Sequence, residues 1–468
     1  MGGFFGVCSR DDCISDLFYG TDYHSHLGTK RGGMAVVHRR EGLVRAIHNI
    51  ENTQFRSKFD DELSGMHCRM GLGVISDSED QPILMRSHLG DYAIVTVGSI
   101  QNIQSLSDTV LKERGRHFSE LKGRQINPTE LVGTLINREE SFEAGICRAR
   151  EAIDGSCSLL ILTHRGIYAA RDRLGRTPVI IGQNPRGYAV TMETSAFPNL
   201  DYRVEKSLGP GEITFLTPRG YEQRHPPGNT LQICAFLWVY YGFPSSGYEG
   251  INVETVRNRC GAYLARRYPL DIDLVAGIPD SGIAHGIGYA TESHIPYKRP
   301  FVKYTPTWAR SFMPQNQATR DLVARMKLIP IPQLIREQRL LFCDDSIVRG
   351  TQLKDNIQRL YHTGAREVHM CVACPPLVYG CKFLNFSRSR SELDLAARKA
   401  IRTLGNDSTD PGEFTDPSSD SYRSMVEQVR KQLNLTSLHY QRMEDLIAAI
   451  GLPRQQLCTY CWSGEEIS

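Results

Sequence analysis

The chain has 468 residues, 40% of them hydrophobic and 23% charged, with a formal net charge of +3. That balance describes a folded protein of about two to three domains. It excludes a dedicated nucleic-acid surface and a disordered tail. No apolar run is long enough to span a bilayer and no charged-then-apolar leader opens the sequence, so no membrane and a cytoplasmic location are expected. Met1-Gly2 suggests myristoylation, but that signal wants Ser or Thr at position 6, which is Gly6.

From residue 1 to about 228 the chain reads as short β-like runs: "YAIVTVGSI", "CSLLILTHRGIYAARD", "GYAVTM" and "GEITFL". They alternate or run apolar over strand lengths between Gly, Pro and Asp, which predicts packed sheets. "HPPGN" at 225–229 marks a boundary. Beyond it the pattern becomes strand, loop, helix in "DIDLVAGIPDSGIAHGIGYATE", and again in "RLLFCDDSIVRGTQLKDNIQRLYHTGAREVHMCVACPP". That alternation predicts a parallel sheet with ligands at the carboxyl ends of its strands. "LGNDSTDPGEFTDPSSDS" (404–421) is predicted to be an exposed loop, and "MEDLIAAIG" a last helix before the final cysteines. The expected units are 1–228, 229–404, and 405–468, the last holding the polar insertion, that helix and a cysteine segment.

"LLFCDDSIVRGT" carries the strongest chemistry. An apolar strand delivers Asp344 and Asp345 to its end, and a turn of Ser346, Ile347, Val348, Arg349, Gly350 and Thr351 leads into a helix. Such a turn aims backbone N–H groups and two hydroxyls at one spot beside a helix N-terminus, where a phosphate monoester fits. Paired carboxylates next to it suit ribose hydroxyls or Mg²⁺. A helix N-cap accounts for a lone Asp-Ser, not for two acids followed by Arg349 and Gly350.

These residues resemble the phosphoribosyl pyrophosphate (PRPP) motif of type I phosphoribosyltransferases, in the version found in glutamine PRPP amidotransferases. "IPDSG" (Ile278–Gly282) is similar to that family's pyrophosphate loop. "KYTPTWARSFMPQNQATR" (Lys303–Arg320) is similar to its flexible loop, with one residue more between Lys303 and Arg310, and "RMKL" (Arg325–Leu328) also matches. The resemblance implies that the loop 346–351 takes the 5-phosphate and that Asp280, Ser281 and Gly282 face pyrophosphate. It also implies that Ser281, Asp344 and Asp345 hold Mg²⁺, and that Lys303 and Arg310 neutralise the departing pyrophosphate.

Thirteen cysteines form an odd count, unsuited to complete disulfide pairing. Cys371 and Cys374 of "CVAC" lie in an apolar strand that sends them to opposite faces, so core positions are expected. Pairing "CVAC" with "CTYC" (Cys458, Cys461) would make a zinc site, but at a separation beyond ribbon spacing. Many bacterial members of the family hold a [4Fe–4S] cluster. The resemblance implies Cys234, Cys381, Cys458 and Cys461 as its four ligands.

The family's N-terminal half is an N-terminal-nucleophile (Ntn) glutaminase that begins "CG(V/I)FG". Here "GGFFG" puts Gly2 where the cysteine belongs. Cys8 and Cys13 are no substitutes, since neither has a free α-amine. The oxyanion-hole "NGN" corresponds to Val97-Gly98-Ser99, the acidic "SDSE" to Pro128–Glu130, and "HRGQE" to Lys30–Met34. Arg69, in "HCRM", is a candidate for the substrate carboxylate, and a structural role explains it equally. The implied fold is an Ntn-hydrolase-like α/β/β/α sandwich joined to a type I phosphoribosyltransferase parallel-sheet domain. The implied function is PRPP and ammonia to 5-phosphoribosylamine and pyrophosphate, with a silent glutaminase half, in purine biosynthesis. Two alternatives stand beside it: a non-catalytic PRPP or nucleotide-binding regulatory paralogue, and a phosphoribosyltransferase with another amine acceptor. Purine nucleotides and a homo-oligomer, dimer or tetramer, are the expected partners.

Overall fold

The structure, a computed structural model, describes residues 2–63, 65–77, 79–113, 117–122, 125–304, 328–384, 392–405 and 411–466. Among the described residues the strands of the first half form two large antiparallel sheets and one two-residue pair, Leu121–Lys122 with Gln125–Ile126. The larger runs in the order Arg203–Ser207, Ile180–Asn184, Gly187–Thr191, Gly3–Ser9, Met70–Ser76, Arg31–His38, Gly42–Asn49. The smaller runs Gly220–His225, Ile213–Thr217, Gly166–Ala170, Gly155–Thr163, Gly90–Ile100, Ile83–Ser87.

Gly3–Ser9 is buried at every residue because it is covered on both faces. On one face the helix Ile14–Asp22 lies directly on Phe5: a Cβ on Gly20 would stand 2.4 Å from its ring. On the other, Gly6 approaches Leu160 and Ile167 of the smaller sheet. That sheet's outer residues Tyr92, Ile94, Leu159 and Ile161 are buried with side chains of the helices Pro128–Ile136 and Phe142–Ala152. Coverage on both faces explains why "SLLIL" reads as an unbroken apolar run rather than an alternating one. The result is the four-layer α/β/β/α sandwich expected of an Ntn-hydrolase-like fold.

The second half is built on a parallel sheet in the order Leu274–Gly277, Arg339–Asp344, Glu367–Val372, Ser437–Tyr440. The helices Ile283–Ser293, Thr351–His362 and Asp420–Leu433 pack on it. This is the type I phosphoribosyltransferase arrangement. Its fourth strand, "SLHY", lies beyond the position where the sequence pattern ends the sheet, since two polar residues in four leave little apolar signal. The segment expected as loop at 404–421 also holds structure. Phe414 is buried in a short helical turn, and Ser419 Oγ accepts the Tyr422 N–H at 3.0 Å to start the helix Asp420–Leu433. A two-residue parallel pair, Ile233–Cys234 beside Leu457–Cys458, joins the beginning of this half to its end.

Candidate active site

Two loops leave the carboxyl ends of neighbouring strands. In register Gly277 lies opposite Cys343, and the Ile278 N–H donates to the Cys343 carbonyl at 2.9 Å. A Cβ on Gly282 would fall 2.0 Å from that same carbonyl, so only glycine lets the 278–282 loop pass this close. The approach brings Ser281 Oγ to 2.6 Å from Asp344 Oδ1, where it donates. Asp344 Oδ1 also accepts the Asp345 N–H at 3.0 Å, and Ser346 Oγ donates to Asp345 Oδ2 at 2.8 Å. The Pro279–Asp280 peptide is cis, and Lys303 forms an ion pair with Asp280. Gly350, at φ +74°, turns the chain into the helix Thr351–His362.

Burial, then the neighbouring Asp345, pushes the Asp344 carboxyl well above the usual carboxylate range; burial raises Asp345 as well. Arg257 opposes this. It is buried on the helix Val253–Arg267, donates to the carbonyls of Trp238, Tyr240 and Gly242, and interacts electrostatically with Asp345. Two buried carboxylates and a hydroxyl, with one fixed cation nearby, are an oxygen donor set that fits Mg²⁺. A cavity of about 330 Å³ opens beside them and runs from Ser281, Asp345, Ser346 and Val348 to Tyr240, Tyr241, Cys381 and Cys461.

Cys381 and Cys461 belong to the second cluster. Parallel pairing sets Cys234 beside Cys458, and the N–H groups of Val378 and Tyr379 donate to the Cys461 carbonyl at 3.2 and 3.1 Å. Burial pushes the Cys381 thiol up to about 11 and raises Cys234, Cys458 and Cys461, and the charges of neighbouring thiols add to the shifts of Cys234, Cys381 and Cys461. Among the described residues no three His, Cys, Asp or Glu side chains converge as one metal ion requires. A multi-iron cluster spans more space than one ion. Four cysteines from three segments, one buried and three half-buried, with Cys234, Cys381 and Cys461 sensing neighbouring thiol charge, fit that larger group. Cys371 and Cys374 are buried, as expected of core residues.

The pocket around Gly2 is lined by Ser76, Asp77, Glu79, Gln81, Val97, Ser99 and Ser156. Val97 presents no donor there. Glu130 is buried and engaged within the chain, accepting the N–H groups of Ser119 and Glu120 at 2.7 and 2.9 Å.

Residues 67–199 match a glutamine amidotransferase domain model. Over 99% of its length the chain is 27% identical to the amidophosphoribosyltransferase of Methanocaldococcus jannaschii, covering 97% of that protein. It is likewise 27% identical to the Bacillus subtilis amidophosphoribosyltransferase, covering 93% of it. The solved B. subtilis glutamine PRPP amidotransferase, complexed with ADP and GMP, superposes at a TM-score of 0.85 with 26% identity, covering 99% of this chain and 96% of that one. Along its whole length the chain is similar to glutamine PRPP amidotransferases. A second solved structure, described as the allosteric regulatory enzyme of purine biosynthesis, superposes at 0.84 with 26% identity, covering 99% of this chain and 95% of that one.

Of the residues expected to act in an amidophosphoribosyltransferase, the structure brings Ser281, Asp344, Asp345 and Ser346 together, with Lys303 and Asp280 at the rim. Arg310 lies outside the described residues. Arg69 is misassigned: it is exposed beside Met70, which pairs with Cys8, whereas Gly2 sits against Ile75 at the other end of that strand. Six residues of strand put it about 20 Å away. Arg257 escaped the sequence reading because an arginine within a helix carries no motif. Its burial is visible only in three dimensions.

Proposed function

We propose that the chain is a phosphoribosyltransferase that joins nitrogen from ammonia to C1 of PRPP, giving 5-phosphoribosylamine and pyrophosphate as a step of purine biosynthesis. The Ser281–Asp344 hydrogen bond carries the proposal, because it draws the pyrophosphate loop and the ribose-phosphate loop into one site. In this reading the loop 346–351 and the N-terminus of the helix Thr351–His362 bind the 5-phosphate. Asp344 and Asp345 orient the ribose hydroxyls. Lys303 and Arg310 take up the charge that grows on pyrophosphate as the C1–O bond breaks. Mg²⁺ held by Asp344, Asp345 and Ser281 supplies further neutralisation of the leaving group. A [4Fe–4S] cluster on Cys234, Cys381, Cys458 and Cys461 ties three distant segments together.

The sandwich of residues 1–228 retains the fold of a glutaminase without its chemistry, and residues 229–404 carry the transferase site. A cytoplasmic homo-oligomer that answers to purine nucleotides completes the reading; among the described residues no helix is long and apolar enough to cross a membrane.

Pyrophosphate release from PRPP and Mg²⁺ tests it. Turnover is expected with ammonium and not with glutamine. PRPP binding without turnover at any ammonium concentration would favour the regulatory paralogue. Turnover with an amine other than ammonia would favour another acceptor, for which the cavity lined by Tyr240 and Tyr241 has room.

A further inference from the structure

The "DRLGR" turn at 172–176 belongs to the N-terminal half, yet it reaches the cysteines. The Cys234 N–H donates to the Arg176 carbonyl at 3.1 Å. The Arg176 guanidinium lies 3.5 Å over the ring of Phe383, two residues beyond Cys381, and its positive charge acts on the Cys458 and Cys381 thiols. One residue therefore contacts two of the three cysteine-bearing segments and acts on the third through its charge. We propose that Arg176 positions the cysteine set and supplies the buried positive charge that balances its thiolates; this rests on the cluster reading above.

The charge arithmetic favours that role. Arg176 is only 6% exposed, and its Nε–H is buried without an acceptor. Among the described residues no carboxylate lies within ion-pair distance of it. The buried carboxylate of Asp172 feels the Arg176 charge, but its hydrogen bonds go to the Arg176 backbone N–H at 2.6 Å and the Ser156 hydroxyl at 2.8 Å, not to the guanidinium. A buried guanidinium with no hydrogen-bonded ion-pair partner is costly, and so are buried thiolates without a cation. Placed side by side they cancel, and an arginine's planar fork can stack on Phe383 and still direct N–H groups at sulfur. Hydrogen bonds and charge next to ligand sulfurs are what set the potential and retention of such clusters.

The test uses full-length protein purified anaerobically as wild type, Arg176→Gln and Arg176→Lys, with iron, sulfide and midpoint potential measured. Wild type is expected to hold about four irons per chain. Arg176→Gln should bind iron with a more negative midpoint potential, because a nearby positive charge stabilises the reduced cluster. It should also lose iron roughly tenfold faster in air. Arg176→Lys keeps the charge and loses the fork, so it should release iron faster at a nearly unchanged potential. A Gln variant with wild-type potential and release rate overturns the proposal and leaves the cluster standing. If that variant does not fold, release from the Lys variant decides, and a wild-type rate overturns the proposal. Wild type without iron, even after reconstitution with iron and sulfide, overturns the cluster reading and this inference with it.

Discussion

At the residue scale, Gly2 is more than a missing nucleophile. A Cβ placed on it would stand 2.4 Å from the Ile75 carbonyl oxygen, a backbone atom of the neighbouring strand that cannot swing aside. Gly2→Cys is therefore expected to release no glutamate from glutamine at a family-like rate and to lower the melting temperature. A single oxyanion donor is worth about 10²–10³ in rate, and Val97 still supplies none. Glutamate release at such a rate by either protein would contradict this. A second expectation concerns His24. It is fully buried, with Nδ1 2.9 Å from the Gly20 carbonyl and Nε2 3.0 Å from Thr191 Oγ1, and burial holds its imidazole down to about 4. The unfolded chain takes up that proton near pH 6.5 and the folded chain does not, so His24's effect on stability falls as pH drops from about 6.5 toward 4. The slope is up to about 1.4 kcal/mol per pH unit. Urea unfolding of wild type and His24→Gln should show a stability difference that shifts against wild type between pH 7 and pH 5. A difference independent of pH would mean that His24 is protonated in the fold.

At the scale of elements, the pair Ile233–Cys234 and Leu457–Cys458 holds only two residues per strand, too few to persist without help. Leu457 is fully buried, and in the cluster reading the cysteines supply the rest. Cys458→Ser is expected to abolish iron binding and to expose the segment after 451 to protease, which iron analysis and limited proteolysis would show together. Elements of this kind set the limit of what the sequence reveals. "LLFCDDSIVRGT" was legible because one short stretch contains the strand, both acids and the turn. The sandwich was legible because its strands are long and apolar. "SLHY" and the pair at 233 and 457 were not, since pairing between positions far apart leaves no local period. The misplacement of Arg69 has the same origin: matching a motif fixes a residue's type, but only strand register shows which end of the sheet it occupies. Arg176 and Arg257 went unread because each acts through burial beside charges contributed by other segments.

At the scale of the molecule, the two halves are joined by buried charge. The carboxylate of Glu193, from the sandwich, sits 2.9 Å from His26 Nε2 and accepts Tyr248 Oη at 2.6 Å and the Phe243 N–H at 3.3 Å from the transferase side. Burial disfavours its charge, but His26 and Tyr248 prevail and hold its carboxyl below the usual range. Arg171, 1% exposed, crosses the same junction to Glu249 at 2.8 Å. Glu193→Ala leaves these partners unsatisfied and should cost about 2–5 kcal/mol. Calorimetry should then resolve two unfolding transitions where wild type shows one. A single transition at the wild-type temperature would mean that the junction is held elsewhere.

The pairing of residue 233 with residue 457 also bears on the order of synthesis. Chains emerge from the ribosome amino end first and fold by domains as they appear. The strands of the sandwich are all complete by residue 225. Ile233 leaves the tunnel a few residues later, yet its partner strand follows only after about 220 more. The sandwich is thus free to fold during translation, while the cysteine site must wait until residue 461 has been made. Iron delivered before then would meet Cys234 and Cys381 alone. In the cluster reading, whatever loads this site therefore acts only after residue 461 has been made, and the half that would hold the cluster is the half that waits longest for its partners.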